Sequence, residues 1–324
     1  MNQKKIAKLA HVSTSTVSKA LSGSSEISNE IAQEIRRIAI ESGYFTEKNT
    51  RRRKYANNKS LLIALIVPEI ISIHYSAIAT YIKNEVESLG GHVAIYVSDF
   101  NNNKCNEILE TLILPRSCDG VIVFSNAGHC AKYNVPIICF SNKGTGLYDS
   151  IGNDTNAILY DAVKHLKDLG HKKIGFVGEL YTLSKSDSFK SAIKQLDLCY
   201  NEEFVYIIDG RFETIGVDAA RLIAASKEKP TAIIAAYDEI ALALIHELSN
   251  NNIQVPSDIS IMGINNIPAS SYAQIPLTTV ETFSAEQYKT AIDLLFDKIV
   301  NQTDVVKHIT VQHKIIQRDS TRHI

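Results

Sequence analysis

The sequence of 324 residues lacks a paired cysteine motif, a long apolar run and a secretory signal. Its five cysteines include no Cys-x-x-Cys pair, which excludes the common zinc and redox spacings and predicts reduced structural thiols. No run reaches the roughly eighteen apolar residues that span a bilayer. The first residues carry neither an apolar signal core nor a cleavage site, so we expect a cytoplasmic protein.

The motifs of several enzyme classes are also absent. The chain contains no G-x-x-x-x-G-K-[ST] phosphate loop, no G-x-G-x-x-G after a strand, no G-x-S-x-G turn and no H-E-x-x-H zinc site. Its ten histidines are scattered along the chain. We therefore expect a protein without enzymatic activity, cofactor or metal.

The charged residues divide unevenly between the first 60 residues and the rest. Residues 1–60 carry twelve Lys or Arg against five Asp or Glu, whereas residues 61–324 carry twenty-two against thirty. A basic amino-terminal region on an acidic body is typical of a nucleic-acid-binding head attached to a part with another task. A lysine-rich solvated surface would give the same charge count, so the order of the residues has to decide.

The order of the residues in the basic region predicts a helix, a tight turn and a second helix. Ile6, Leu9 and Ala10 share one face of the first helix. After a short turn, Ser13 can cap a second helix that runs to about Leu21. In a helix-turn-helix of this kind, the second helix enters the major groove of DNA.

A third short helix is predicted to complete the head. It begins at a cap on Ser28 and runs to about Ser42. Its apolar face contains five residues, Ile27, Ile31, Ile35, Ile38 and Ala39. Three short helices can bury one small core, so the head is predicted to fold as a three-helix unit.

The second helix is rich in short hydroxyl side chains. Its segment "HVSTSTVSKALSG" contains six Ser or Thr among thirteen residues. Such side chains let a helix approach DNA closely, and their oxygens can bond phosphates or base edges. Lys19 can reach either a guanine edge or a phosphate. The alternative is a serine-rich solvated helix in an unrelated bundle.

The segments "IAKLAHVSTSTVSKALSG" and "IAIESGY" resemble the DNA-binding head of the lactose-repressor (LacI/GalR) family. This resemblance implies that Thr14, Ser15 and Lys19 read bases. It also implies three residues that hold the DNA backbone, namely Ser13, Thr16 and Ser18. The family more often has Arg where this chain has Lys19, and because lysine is a point donor rather than a bidentate fork, the preferred base is less defined.

Residues 47–60 are interpreted as a linker, and the resemblance to the family is weaker here. In the family, a short hinge helix in this position folds on DNA and inserts an apolar side chain into the minor groove. Tyr55 stands where that wedge is expected. Three arginines, Arg51, Arg52 and Arg53, would then lie against phosphates or in a narrow minor groove. A disordered basic tether is the alternative.

From residue 61 onward, apolar runs such as "SLLIALIVP" alternate with amphipathic helices, and the rhythm restarts near residue 156. This alternation predicts an α/β fold of two lobes with parallel sheets. We predict a helix-turn-helix domain over 1–46, a linker over 47–60 and an effector-binding and dimerisation domain over 61–324. One lobe would span about 61–155 plus a crossover near 270–285, and the other about 156–270 plus the carboxyl-terminal strand.

The body resembles the periplasmic-binding-protein-like effector domain of the same family. Its markers "GHKKIGFVG", "PTAIIAAYDEIALALI", "VPSDISIMGINN" and "QRDST" occur in the family's order. The resemblance implies nine effector-binding positions, which are His74, Tyr75, Asn142, Asp154, Lys185, Phe212, Tyr237, Asp238 and Asn265.

Three of these positions depart from the usual family pattern. Lys185 replaces an arginine that clamps ligand hydroxyls, Tyr237 replaces Asn or Ser, and Asn265 replaces an aspartate. Two strong oriented contacts are thereby lost, so the effector need not be the usual monosaccharide. Phe212 is predicted to supply an aromatic surface for a sugar or base and to face Lys185 across the ligand.

Together these features predict a ligand-controlled repressor of a carbohydrate-utilisation operon. It would bind a palindromic operator as a homodimer, because two heads must match two half-sites. The effector would be a small molecule, a sugar or a sugar derivative. The alternatives are control by a phosphorylated carrier protein and a solute-binding protein. The solute-binding class is opposed by the basic head and the missing signal sequence.

Overall fold

The computed structural model of the protein describes residues 3–21, 26–41, 61–113, 117–124, 135–141, 147–282, 284–303 and 305–324. The head contains three helices, α1 (Gln3–Leu9), α2 (Thr14–Leu21) and α3 (Asn29–Glu41). The turn between the first two contains His11, whose φ of 53° is left-handed. These helices confirm the predicted helix-turn-helix head.

The head has its own small apolar core. Ile6, Val17 and Ile35 are fully buried there, together with small residues such as Ala7. Leu9 was expected on the packed face but is 53% exposed, because α1 turns its Ile6–Ala7 face inward instead. The three helices thus bury a core from one face each, and the other faces remain available to solvent.

The body is built from alternating strands and helices. Its helices are α4 (Ile73–Ser88), α5 (Asn102–Ile113), α6 (Thr155–Asp168), α7 (Leu183–Gln195), α8 (Glu213–Ala225), α9 (Asp238–Asn250), α10 (Ala269–Tyr272) and α11 (Ala285–Asn301). Its strands are β1 (Leu62–Val67), β2 (His92–Val97), β3 (Gly120–Val123), β4 (Ile137–Phe140), β5 (Asp149–Asn153), β6 (Ile174–Gly178), β7 (Val205–Ile207), β8 (Ala232–Ala235), β9 (Ser260–Ile264), β10 (Thr278–Glu281), β11 (His308–Val311) and β12 (Lys314–Ile316).

These strands form two six-stranded sheets, in agreement with the predicted α/β body of two lobes. The first sheet has the order β11-β5-β4-β3-β1-β2 and the second the order β12-β10-β9-β8-β6-β7. The pairs β1/β2, β1/β3 and β3/β4 are parallel in the first sheet, and β6/β7, β6/β8, β8/β9 and β9/β10 are parallel in the second. Strand β12 is antiparallel to β10. Central strands that are buried on both faces, such as β1, β3 and β8, read as continuous apolar runs, which is why the sequence revealed them.

The chain divides into two compact units. The first comprises Met1–Glu69, Ala79–Ser150 and Ala291–His308, and the second Ile70–Ile78, Ile151–Thr290 and Ile309–Ile324. The late return to the first lobe therefore lies at 291–308 rather than near 270–285. Strand β10 belongs to the second sheet because it pairs with β9 and β12. The predicted linker over 47–60 lies outside the described residues, so the proposed domain boundaries stay predictions.

Within the described ranges, no helix is long and apolar enough to cross a membrane.

Candidate functional site

The predicted recognition surface of the head is the outer face of α2. Ser13 caps this helix, since its Oγ accepts a hydrogen bond from the Thr16 backbone N–H at 3.0 Å and lies 2.8 Å from Thr16 Oγ1. Val17 and Ala20 pack into the head core. The remaining predicted DNA contacts are exposed on the other face, namely Thr14, Ser15, Ser18 and Lys19. The helix therefore carries its hydroxyls toward solvent, where DNA can reach them.

Lys19 does not stand alone on this surface. Its Nζ forms an ion pair with the Glu26 carboxylate, and both side chains are exposed. A lysine in such an exposed pair exchanges partners easily, because the pair contributes little stability. Four further predicted DNA contacts lie outside the described residues, namely Arg51, Arg52, Arg53 and Tyr55.

In the second unit, the carboxyl ends of four neighbouring strands carry four of the nine predicted effector residues, together with Glu179, which was not predicted. Glu179 follows β6, Phe212 lies in the loop after β7, Tyr237 and Asp238 follow β8, and Asn265 follows β9. These four strands are adjacent in the second sheet. Ligands of open parallel sheets bind beyond this edge, so the structure brings polar side chains together where a ligand is expected.

An ion pair at this edge was missed by the sequence analysis. The Arg211 guanidinium forms an ion pair with the Glu179 carboxylate, which is 1% exposed. The guanidinium carbon of Arg211 also lies 5.1 Å from the Tyr181 ring centroid and 4.5 Å from the Phe212 ring centroid. A charged residue placed directly after a fully buried strand was the available signal for Glu179.

Phe212 has a strained backbone, and the Arg211 guanidinium lies over its ring. Its φ of 55° is left-handed, which is costly for a bulky residue and is found mainly where function requires it. Its backbone N–H donates to the Tyr237 hydroxyl at 3.1 Å, and the two rings meet edge to face with centroids 6.0 Å apart. The predicted aromatic surface is thus present, but Arg211 lies over the ring.

Lys185 and Tyr237 are polar groups withdrawn from water. Burial lowers the pKa of Lys185 to about 8, although the carboxylates of Asp238, Glu239 and Glu179 oppose that shift. The Lys185 ammonium donates to the Ala236 carbonyl at 2.7 Å. Burial also raises the pKa of Tyr237, so its hydroxyl stays protonated at neutral pH. Lys185 therefore loses its proton more readily than an ordinary lysine, and its ammonium is held by a backbone carbonyl.

His74 and Tyr75 lie in the first turn of α4, within the Ile70–Ile78 segment of the second unit. Their rings meet edge to face with centroids 5.2 Å apart. Burial and, to a smaller extent, the positive charge of Lys185 lower the pKa of His74 to about 3. His74 is consequently neutral at physiological pH and offers one ring donor and one acceptor.

Asp238 is enclosed by the protein. Its Oδ2 accepts hydrogen bonds from the Ile267 N–H and the Ser270 hydroxyl, both at 2.8 Å, and its Oδ1 accepts one from the Thr279 hydroxyl at 2.6 Å. Burial raises its pKa to about 7 despite these donors. A Cβ on Gly263 would lie 2.1 Å from Asp238 Oδ1, so only glycine fits there. An effector contact by Asp238 stays a prediction. Its hydrogen bonds to Ile267 and Ser270 indicate that it holds the segment after β9 in place.

The three remaining predicted positions have different settings. Asp154 caps α6, because its Oδ1 accepts from the backbone N–H groups of Asn156 at 2.9 Å and Ala157 at 3.3 Å. Asn265 has a φ of 109°, and its Oδ1 accepts from the Thr282 hydroxyl at 3.3 Å. Asn142 lies outside the described residues.

The described residues include no group of three or more His, Cys, Asp or Glu side chains that could hold a metal ion. The edge of the second sheet instead combines an aromatic ring, two cations and several hydrogen-bonding groups, which suits a small polar ligand with a ring. A helix-turn-helix head joined to such a body defines a class of protein, the DNA-binding regulator with a receptor domain for small molecules.

Comparisons with known proteins identify the family. A model of bacterial regulatory proteins of the lacI family matches residues 3–47, and one of a periplasmic binding protein-like domain matches residues 163–321. The chain belongs to the LacI family of transcriptional regulators and carries a periplasmic-binding-protein-like effector domain. Like the other members of this family, it is a DNA-binding transcriptional regulator and not an enzyme.

Similar proteins match over nearly the whole chain. The transcriptional regulator MalR of Clostridium butyricum is 26% identical and aligns with 100% of both chains. Catabolite control protein A of Priestia megaterium is 26% identical over 98% of each chain. Among solved structures, a LacI family regulator from Lactobacillus casei with bound sucrose has a TM-score of 0.71 at 21% identity, covering 80% of this chain and 99% of its own. A CelR–cellobiose complex has a TM-score of 0.67 at 20% identity over 99% of each chain.

Proposed function

We propose that this regulator is a repressor of a carbohydrate-utilisation operon and that a sugar or sugar derivative controls its binding to a palindromic operator. The observation that carries the DNA-binding part is the outer face of α2, where capped and exposed hydroxyls lie beside Lys19. The protein acts in the cytoplasm, where the chromosomal operator lies. Residues 1–46 bind DNA, 47–60 link the head to the body, and 61–324 bind the effector and form the dimer.

The roles of the individual contacts in the head follow the resemblance to the family. Thr14, Ser15 and Lys19 read base edges, whereas Ser13, Thr16 and Ser18 hold phosphates. The place of Ser13 and Thr16 at the start of α2 supports the second role, because helix N-termini and the hydroxyls beside them can bind phosphate oxygens. Two heads in twofold register are needed for a palindrome, so the working form is a homodimer.

The effector binds at the carboxyl edge of the second sheet. Phe212, Lys185, His74 and Tyr237 are the side chains best suited to contact it, since they offer a ring, a cation and neutral hydrogen-bonding groups. Names of similar proteins support a carbohydrate: one is a ribose operon repressor, and solved relatives contain sucrose or cellobiose. Effector and operator then weaken each other's binding by the same factor.

Control by a phosphorylated carrier protein is the second candidate function. It is supported by the similarity to catabolite control protein A and by Arg211, which covers the ring on which a sugar would stack. In that case small sugars would leave operator binding unchanged.

The test measures operator binding by the full chain and by a fragment of residues 61–324. An operator is first selected by the full chain from a pool of randomised palindromic duplexes. We expect salt-dependent binding by the full chain only, because the basic residues concentrate in the head. Calorimetry with sugars, sugar phosphates and nucleosides, with and without operator, then identifies the effector. Equal operator binding by the fragment would refute the domain assignment, and a panel without any response would favour the carrier protein.

A further inference from the structure

The segment after β9 begins with two asparagines in a strained backbone. Asn265 has a φ of 109° and Asn266 a φ of 52°, so two successive residues that carry a side chain occupy the left-handed region. Asparagine tolerates this region better than most residues do, yet the conformation is costly, and residues strained in this way cluster where ligands are held. Asn265 is a predicted effector contact, whereas Asn266 was not predicted. Such a backbone persists only where its neighbours fix it.

The side chain of Asn266 bridges two charged groups. Its Oδ1 accepts a hydrogen bond from Arg318 Nη2 at 2.7 Å, and its Nδ2 donates to Glu281 Oε1 at 2.9 Å. Glu281 is the last residue of β10, and Arg318 Nη1 donates at 2.6 Å to the carbonyl of Leu277, directly before that strand. An amide suits this place, because it donates through one atom and accepts through the other. Asn266 thereby ties the segment after β9 to β10 and to the carboxyl-terminal segment.

The neighbouring Asn265 is held by its backbone and by one side-chain atom. Its backbone N–H donates to the Val280 carbonyl at 2.8 Å, and its Oδ1 accepts from the Thr282 hydroxyl at 3.3 Å. Among the residues that the structure describes, none accepts a hydrogen bond from its Nδ2. Asn265 is half-buried and follows β9 at the carboxyl edge, where ligands of parallel sheets bind. Its amide group can therefore donate to an oxygen of the effector.

We propose that Asn266 is a positioning residue of the effector site. By bridging Glu281 and Arg318, it keeps the backbone at 265–266 in the left-handed region and directs the Asn265 amide toward a hydroxyl or ring oxygen of the effector. Without the bridge, the strained backbone relaxes and the amide loses its fixed direction. This inference rests on the proposed binding of a sugar or sugar derivative at the edge of the second sheet.

Calorimetry on the full chain tests the bridge. The titrant is the compound that the wild type binds most tightly in a panel of sugars, sugar phosphates and nucleosides, with sucrose and cellobiose tested first. Asn266→Gly fits the φ of 52° but removes both side-chain bonds, so it should weaken binding about tenfold, as expected for one oriented hydrogen bond. Asn266→Asp keeps an acceptor for Arg318 but places a second carboxylate against Glu281, and it should weaken binding at least as much.

Two double variants separate positioning from damage to the fold. Glu281→Gln added to Asn266→Asp restores a donor opposite the new carboxylate, so it should recover most of the lost affinity. Asn265→Gly removes the amide and should itself weaken binding. Adding Asn266→Asp to that variant should then cause no further loss, because Asn266 acts through the Asn265 amide. A loss caused only by weaker folding would persist in this background.

Asn252→Gly is the matched control. Asn252 also has a left-handed φ, of 60°, but it is exposed and follows the carboxyl end of α9, away from the edge where that helix begins. This variant should bind the titrant like the wild type, and all variants should bind the operator equally without effector. Equal affinity of Asn266→Gly and the wild type, or an undiminished loss in the Asn265→Gly background, would overturn the inference and leave the proposed function intact. A wild type that binds no compound of the panel would refute both control by a sugar and this inference.

Discussion

Replacing Arg211 by alanine tests the ion pair at the edge of the second sheet. The Glu179 carboxylate is 1% exposed and Arg211 is 25% exposed, so the substitution removes the cation from a carboxylate with almost no access to water. The guanidinium also packs against the rings of Tyr181 and Phe212. We expect Arg211→Ala to destabilise the second unit strongly.

The magnitude follows from the burial of the two partners. Removing one partner of a buried pair costs about 3–5 kcal/mol, because the remaining charge stays desolvated. The lower end, about 3 kcal/mol, applies here because water reaches part of the Arg211 side chain. Two exposed cation–π contacts add about 0.5–1 kcal/mol each at most. Glu179→Gln in the Arg211→Ala background should recover much of the loss, since an amide needs no cation.

Urea unfolding followed by far-ultraviolet circular dichroism measures these differences. Arg221→Ala is the matched control, because Arg221 is 63% exposed and pairs with Glu247 at 3.1 Å on the surface of the same unit. That variant should lose no more than about 1 kcal/mol. If Arg211→Ala and Arg221→Ala unfold at the same urea concentration, the Glu179 carboxylate does not depend on its cation and the reasoning fails.

Two further predictions concern the same edge. Asp238 keeps its proton in the folded state up to about pH 7, whereas the unfolded chain releases it near pH 4, so its contribution to stability is lost as the pH rises through 7. Between pH 5 and pH 8 the free energy of unfolding of the wild type should fall by about 2–3 kcal/mol relative to that of Asp238→Asn. Urea unfolding measures both proteins, and an equal change in stability over this pH range would contradict the prediction. Phe212→Ala should weaken the response to any ring-shaped effector, whereas Lys185→Ala should weaken the response to anionic effectors most. Operator-release assays measure the response of each variant to the effector. If both variants respond like the wild type, the effector does not bind at this edge.

Much of the fold could be predicted because buried parallel strands leave a direct trace in the sequence. The run over β1 is apolar from Leu62 to Val67, and every residue from Ile63 onward is buried. Strand β5 left no such trace, because it contains Asp149, Gly152 and Asn153 and reads as a loop. Its first residue is buried nonetheless, since the Asp149 carboxylate pairs with Lys298 at 3.0 Å and accepts from the Lys307 N–H at 2.6 Å. Partners so distant in the sequence cannot be found by local patterns.

The candidate site was predictable only in outline. The family resemblance located Phe212, Tyr237 and Asn265, and the structure places each of them after the end of a strand. The chemistry of each position depends on what surrounds it, and the family resemblance did not supply that. Asp238 reads as an exposed acid at the start of a helix, yet three donors from the loops around it occupy its oxygens. Local sequence shows where a group lies along the chain but not whether another group already satisfies it.

The occupied face of Phe212 has a consequence for the effector. A ring that stacked on this face would have to displace the Arg211 guanidinium and so separate it from the buried Glu179 carboxylate. That separation costs about 3 kcal/mol, which is a factor of more than one hundred in affinity. An effector at the proposed site would avoid this cost by using the Phe212 surface that Arg211 leaves uncovered, or by carrying an anionic group that binds the guanidinium while Glu179 keeps its contact with it. Because Lys185 provides a second cation at the same edge, we expect an anionic sugar derivative to suit this site better than a neutral sugar.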